Sequence, residues 1–360
     1  MDGASHLGDA FQWSDWQTKL LDSLVITSCS LSILGSLFIF LSYALWRDLR
    51  TTPRLMLVCL SLADLITAAG NMFGVFYRQG GVVCTIQSAF TSTSSISSFL
   101  WTLSIGTHLY LSMLKSTKKR NFQYLYHIVS WGLPIVILII ALSFRALGAD
   151  DFSRAVGWCW ISDQVEHPLF WSFFVGKSEE ITSYIVTFLL YALTLWRLHR
   201  RVHAGLLPSK NVRKVINQVD KKLMLVPLVF ILVRIWGTTR FLLVSAGLIR
   251  MDIYWMVVLQ GIGDSAQGFA NFLLFCVFTK KVRNKYTGLV RRAFCWNDYY
   301  SDVSSEDEDR GKHSIQYPVT VAEPHSFMPG VRVYYSDESS FSSSPSSSAA
   351  PSRNATARHL

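Results

Sequence analysis

Half of the 360 residues are hydrophobic and 16 % are charged, against roughly a quarter charged in soluble domains, and the formal net charge is +10. That composition disfavours a soluble enzyme. The 58 Asp, Glu, Lys and Arg residues are also segregated: seven apolar stretches covering 182 residues hold 7 of them, so those stretches read as membrane spans.

Residues 1–22 contain Asp2, Asp9, Asp15 and Asp22 and lack a basic start followed by an apolar run. They predict a short extracellular N-terminus, with the first span serving as its own insertion signal. The predicted spans follow at 24–46, 55–77, 84–114, 122–144, 169–196, 223–249 and 253–279. Each has at least 23 residues, enough at about 1.5 Å per residue to cross a hydrocarbon core of about 30 Å as a helix. Gly176-Lys177-Ser178-Glu179-Glu180 interrupts the fifth, but either flank alone is too short to cross, so one helix is expected. Pro227 near the inner end of the sixth predicts a kink or hinge there. The predicted fold is all-α: a seven-transmembrane helix bundle over 23–279, a short amphipathic membrane-surface helix over 280–295 and a disordered cytosolic tail over 296–360.

Alternate loops differ in positive charge. The loops 47–54, 115–121, 197–222 and 280–295 carry 21 Lys or Arg, whereas the N-terminus and the loops 78–83, 145–168 and 250–252 carry 5. The positive-inside rule then puts the N-terminus outside and the C-terminus in the cytosol. The excess of cations lines one face of a membrane, so no nucleic-acid partner is implied. Val212, Val215, Ile216 and Val219 repeat at helical spacing amid Arg213, Lys214, Lys221 and Lys222, a pattern that suits docking of a partner or of anionic lipid.

Of six cysteines, Cys29, Cys59 and Cys276 lie within spans as small buried hydrophobes, and Cys84 and Cys159 face the oxidising side. A disulfide between that pair would pull the loop before span five across the mouth of the bundle; the alternative is two free thiols. Cys295 follows the basic segment 280–295, where a palmitoyl chain would add a second anchor. The tail turns to Ser, Asp, Glu and Pro, with eight serines between Ser339 and Ser348, a composition that cannot bury a core and that suits kinases.

A charge in hydrocarbon is expensive, so each of the seven in the spans needs a reason. Asp64 and Arg234 lie in spans two and six. Lys177, Glu179, Glu180, Arg240 and Asp264 fall in the outward half, beneath a loop carrying Trp158 and Trp160. Those seven residues together predict a polar ligand cavity under an aromatic lid; pairing among the charges across the bundle is the competing explanation. Hydroxyl residues from Thr91 to Ser98 crowd the same half of span three.

Catalytic readings find little support. His108 and His127 are the histidines in spans, too few for a metal site, and neither a phosphate-binding glycine loop nor a nucleophile elbow occurs, so no cofactor and no enzyme activity are expected. A secondary transporter or channel would also use intramembrane charges, but no internal repeat divides the seven spans.

Ser61-Leu62-Ala63-Asp64-Leu65, Ser130-Trp131-Gly132-Leu133-Pro134, Gly157-Trp158-Cys159-Trp160-Ile161, Lys221-Lys222-Leu223 with Pro227-Leu228, and Gly261 through Gly268 form an ordered set over roughly 20–295. With this set the chain resembles the seven-transmembrane G-protein-coupled receptors, in their secretin, adhesion and cyclic-AMP-receptor-like branch. His108-Leu109-Tyr110 stands at the end of span three, as in the secretin-like members. The resemblance implies a Cys84–Cys159 bridge, a ligand entering from outside, and outward movement of the inner end of helix six to admit a heterotrimeric G protein. It further implies a phospholipase C link, a plasma-membrane location extending to the primary cilium, and arrestin and kinases acting on the tail. Arg47, Arg50, Lys115, Lys118, Lys119, Arg213, Lys214, Lys221 and Lys222 are the candidates for the G-protein face.

Overall fold

The computed structural model describes residues 13–77, 81–113, 119–149, 155–203, 225–249 and 253–291. Within them the chain makes seven long helical passes. Helix α1 is Asp15–Leu45, α2 is Thr52–Phe76 and α3 is Val82–Met113. Helix α4 runs as Lys119–His127, a π-helical turn Ile128–Gly132 and Leu133–Ser143. Helix α5 is Pro168–Ser172, a π-helical turn Phe173–Lys177 and Ser178–His203. Helix α6 is Val226–Ser245, and α7 is Tyr254–Ser265, Gln267–Phe272 and the π-helical turn Leu273–Val277. A further helix, α8, covers 280–291.

Local chemistry sets the ends. Ser14 and Gln17 form a reciprocal capping box on α1, and Pro53 occupies the first turn of α2, where its missing N–H costs nothing. Pro134 would remove the hydrogen bond to Ser130 in a regular helix, and the π-helical turn over Ile128–Gly132 absorbs that mismatch. Pro227 stands near the start of the described part of α6, and the residues before Leu225, on the far side of the expected hinge, lie outside the described residues.

Four segments, α1, α2, Gln123–Ser143 and α6, are each long and apolar enough to cross a membrane by themselves. Hydroxyl side chains from Thr91 to Ser98 dilute α3, and α7 is interrupted at Ala266. Along α1 the buried stripe mixes Leu21, Val25, Cys29 and Ile39 with Ser28, Ser32, Gly35, Ser36 and Ser42, while Leu31, Leu34, Leu37, Phe38 and Leu41 are exposed. Lipid is as apolar as leucine, so helices in it associate through small residues that let backbones approach. Gly35 and Gly268 bring α1 and α7 together in this way.

Helix α8 is fastened to the end of α1. Val282 is buried in the bundle, and the Tyr286 hydroxyl meets Ser42 Oγ at 2.8 Å and donates to the Phe38 carbonyl at 3.2 Å. Lys285 and Lys281 bracket Asp48 at 2.7 and 3.0 Å. Their hydrogen bonds hold the Asp48 carboxyl down to about 2, so this contact weakens only as the pH falls through that value. Cys295 and the tail lie outside the described residues.

Replacing Gly268 by leucine should destabilise the bundle by about 1–3 kcal/mol, because a Cβ there would stand 2.6 Å from the Ser32 and Ser36 hydroxyls and 2.8 Å from the Ser32 carbonyl. Thermal unfolding of the purified protein checks this; an unchanged melting temperature would contradict the close α1–α7 contact.

Candidate functional site

The loop between α4 and α5 is tied to the start of α3. Cys84 and Cys159 form a disulfide with their Cα atoms 5.5 Å apart, and the Cys159 N–H donates to Gln87 Oε1 at 2.8 Å. Strand β1, Leu147–Gly148, pairs antiparallel with β2, Trp160–Ile161, which folds the loop back on itself. Trp158 rests on α2 at Gly74, where any Cβ would lie 2.7 Å from its own. The two tryptophans flanking Cys159 are thereby held over the bundle.

Helix α5 is deformed beneath them. Val175 and Gly176 leave helical geometry, and Gly176 adopts φ 146°, a conformation that suits glycine alone. The break frees the Val175 carbonyl, which accepts the Trp160 indole N–H at 3.3 Å. The expected interruption of the fifth span is thus a bulge within one helix, and it turns Lys177 and Glu180 into the bundle.

A cavity with an open mouth lies between the loop and the helices. Trp158 and Trp160 line it from above, Asn71 from α2, Ser92, Ser95 and Phe99 from α3, Lys177 and Glu180 from α5, Arg234 from α6, and Gln260 and Asp264 from α7. Lys177 Nζ contacts Glu180 Oε2 at 2.6 Å, with both side chains buried, and its other neighbours are the Trp160 and Phe241 rings, each 5.7 Å away. Tyr184 OH donates to the second Glu180 oxygen at 2.9 Å and meets Thr238 Oγ1 at 3.2 Å. Gln260 bonds the Asp264 side chain, and its own Oε1 accepts from Arg240 Nη1 at 2.7 Å. The Arg234 guanidinium lies over the Phe99 ring at 4.9 Å.

Five of the seven residues predicted from sequence to shape a ligand cavity line this one: Lys177, Glu180, Asp264, Trp158 and Trp160. Arg240 is fully buried and reaches the cavity through Gln260, while Glu179 is half-buried on another face of α5. Sequence reasoning left Arg234 out of the site. Its spacing with Gly237, Thr238 and Phe241, all buried on one face of α6, was the signal that places it inward. Asp64 serves a different purpose: Ser98 Oγ donates to it at 2.6 Å and Asn271 Nδ2 at 2.8 Å, so it ties α2 to α3 and α7.

Of the candidates for a partner surface, Arg47 is exposed. Arg50 donates to the Tyr43 and Ala44 carbonyls at 3.2 and 2.8 Å, capping the end of α1. Lys119 falls in the first turn of α4; Lys115, Lys118, Arg213, Lys214, Lys221 and Lys222 lie outside the described residues.

Among the described residues, a bundle of seven helical passes with leucines facing outward and a loop strapped over a charged cavity defines a multi-pass membrane protein. The sequence matches the family 7 transmembrane receptor (Secretin family) over residues 18–270, and the chain belongs to it. It is 37 % identical over 280 residues to G-protein coupled receptor 157 of Mus musculus, covering 74 % of this chain and 84 % of that one. The Homo sapiens protein of the same name is 37 % identical over 290 residues, 76 % of this chain and 85 % of that one. Cyclic AMP receptor-like protein A of Dictyostelium discoideum is 32 % identical over 154 residues, 42 % of this chain and 40 % of that one. These relatives make the chain a receptor and not an enzyme.

Glu180→Gln leaves Lys177 buried without its anion and should cost about 3–5 kcal/mol, whereas Lys177→Met with Glu180→Leu should recover most of that loss. Unfolding of the single and double variants measures the difference. Equal destabilisation by both would show that the pair is not what holds α5 at the bulge.

Proposed function

We propose that this receptor takes an extracellular ligand into the loop-roofed cavity and passes its occupancy to a heterotrimeric G protein on the cytosolic side. One observation carries this reading: buried charges from α5, α6 and α7 converge on a cavity closed by the strapped loop, at the end of the bundle where the cations are few. The N-terminus then faces outside at the plasma membrane, and Arg47, Lys115, Lys118, Lys119, Arg213, Lys214, Lys221 and Lys222 belong to the G-protein face. Arg50, exposed while it caps α1, belongs to the same face. A ligand that prefers one of two helix arrangements shifts the population towards it, and movement of the cytosolic end of α6 is the expected output. The family resemblance supports the finer reading of a phospholipase C-linked G protein, arrestin on the tail and a location that includes the cilium, while the basic segment before Cys295 supports its lipidation and the serine-rich acidic tail supports kinases.

Receptor reconstituted in vesicles should raise nucleotide exchange on at least one member of a G-protein panel severalfold above empty vesicles, and truncation after Thr279 should reduce that exchange. Net solute flux without nucleotide exchange would overturn the proposal in favour of a transporter.

A further inference from the structure

Hydrogen-bonding demand on the cavity wall is one-sided. Both Glu180 oxygens are engaged, by Lys177 and Tyr184, and Asp264 is bonded by Gln260. Arg234 is 4 % exposed, and its Nε and Nη2 have no hydrogen-bond partner; neither has the Ser92 hydroxyl, 7 % exposed on the facing helix. Asp64, Glu180 and Asp264 balance the guanidinium charge at a distance while directing their hydrogen bonds elsewhere. Leaving such donors buried and unmet is costly, and more so when they belong to a charged group.

Geometry narrows what would satisfy them. Nε and Nη2 form the side edge of the guanidinium, two roughly parallel N–H bonds that fit the two oxygens of a planar carboxylate. The ring of Phe99 lies against the guanidinium, 4.9 Å from its central carbon, and the Nε–Nη2 edge is itself buried. Above it, Ile96, Val175, Trp158 and Trp160 supply an apolar and aromatic wall for the rest of the molecule.

Resting on the reading of the cavity as the ligand site, we propose that the ligand is a small organic acid, its carboxylate clasped by the Arg234 edge and the Ser92 hydroxyl and its apolar body under the tryptophan lid. Thermal unfolding of the purified receptor, with no G protein present, tests this using 3-phenylpropionate, its neutral amide 3-phenylpropionamide and inorganic phosphate as probes. The acid should raise the melting temperature in a saturable way, with the amide and phosphate having little effect. Arg234→Lys keeps the charge but loses the fork, and Ser92→Ala loses the hydroxyl; each should weaken the acid's effect by about tenfold or more. No stabilisation by the acid, equal stabilisation by the amide, stronger stabilisation by phosphate, or an undiminished response in Arg234→Lys would each overturn the inference. Because binding is read directly, loss of G-protein coupling alone would count against the proposed function and leave this assignment standing.

Discussion

Hydrocarbon offers no partner to a charge or to an unpaired backbone group, and nearly every feature of this chain follows from that constraint. Leucine and phenylalanine lose nothing by facing lipid, so many are left outside, and the space between helices is shared by small residues and a buried apolar core that includes Leu57, Leu60, Trp101 and Phe230. The seven charges within the predicted spans are drawn inward and, with the exception of Asp64, sit on or next to one cavity or one turn of α5. Internal pairing and a ligand cavity, which the sequence sets against one another, turn out to be compatible. Lys177–Glu180 and Arg240–Gln260 are paired, and the paired residues still surround an open space.

That space depends on irregularity. A straight α5 would keep the Val175 carbonyl in its own ladder; the Gly176 bulge releases it to Trp160 and swings the next turn inward. The disulfide, the Gln87 contact and the two-residue strand pair then fix Trp158 and Trp160 over the opening. Helix α7 follows a similar pattern, since Gly263 lets the Val233 carbonyl approach closely and the helix breaks three residues later at Ala266. Non-helical backbone at such depth is tolerated because it borders the cavity and the protein interior, not lipid.

Much of this was legible in the residues. Segregation of charge marks out the spans, and the two cysteines on the cation-poor side point to the bridge that the structure contains. Depth along each span brings Lys177, Glu180 and Asp264 to the same level as the Trp158–Trp160 loop. Depth without rotation is where the reading failed. Arg240 and Arg234 are six residues apart on α6, and counting in from the outside favours Arg240, whereas the helical phase of the buried stripe turns Arg234 to the cavity. Glu179 and Glu180 are neighbours in sequence, but successive residues on a helix point about 100° apart, so one enters the cavity and the other does not.

Since the cavity, the strapped loop and the cytosolic face take their meaning from how the chain threads the bilayer, that threading is the claim to test first. Different epitope tags on the two ends, probed with antibodies on intact and then permeabilised cells, measure it directly. The account predicts that the amino-terminal tag is labelled on intact cells and the carboxy-terminal tag only after permeabilisation; labelling of both ends, or of neither, on intact cells would contradict it.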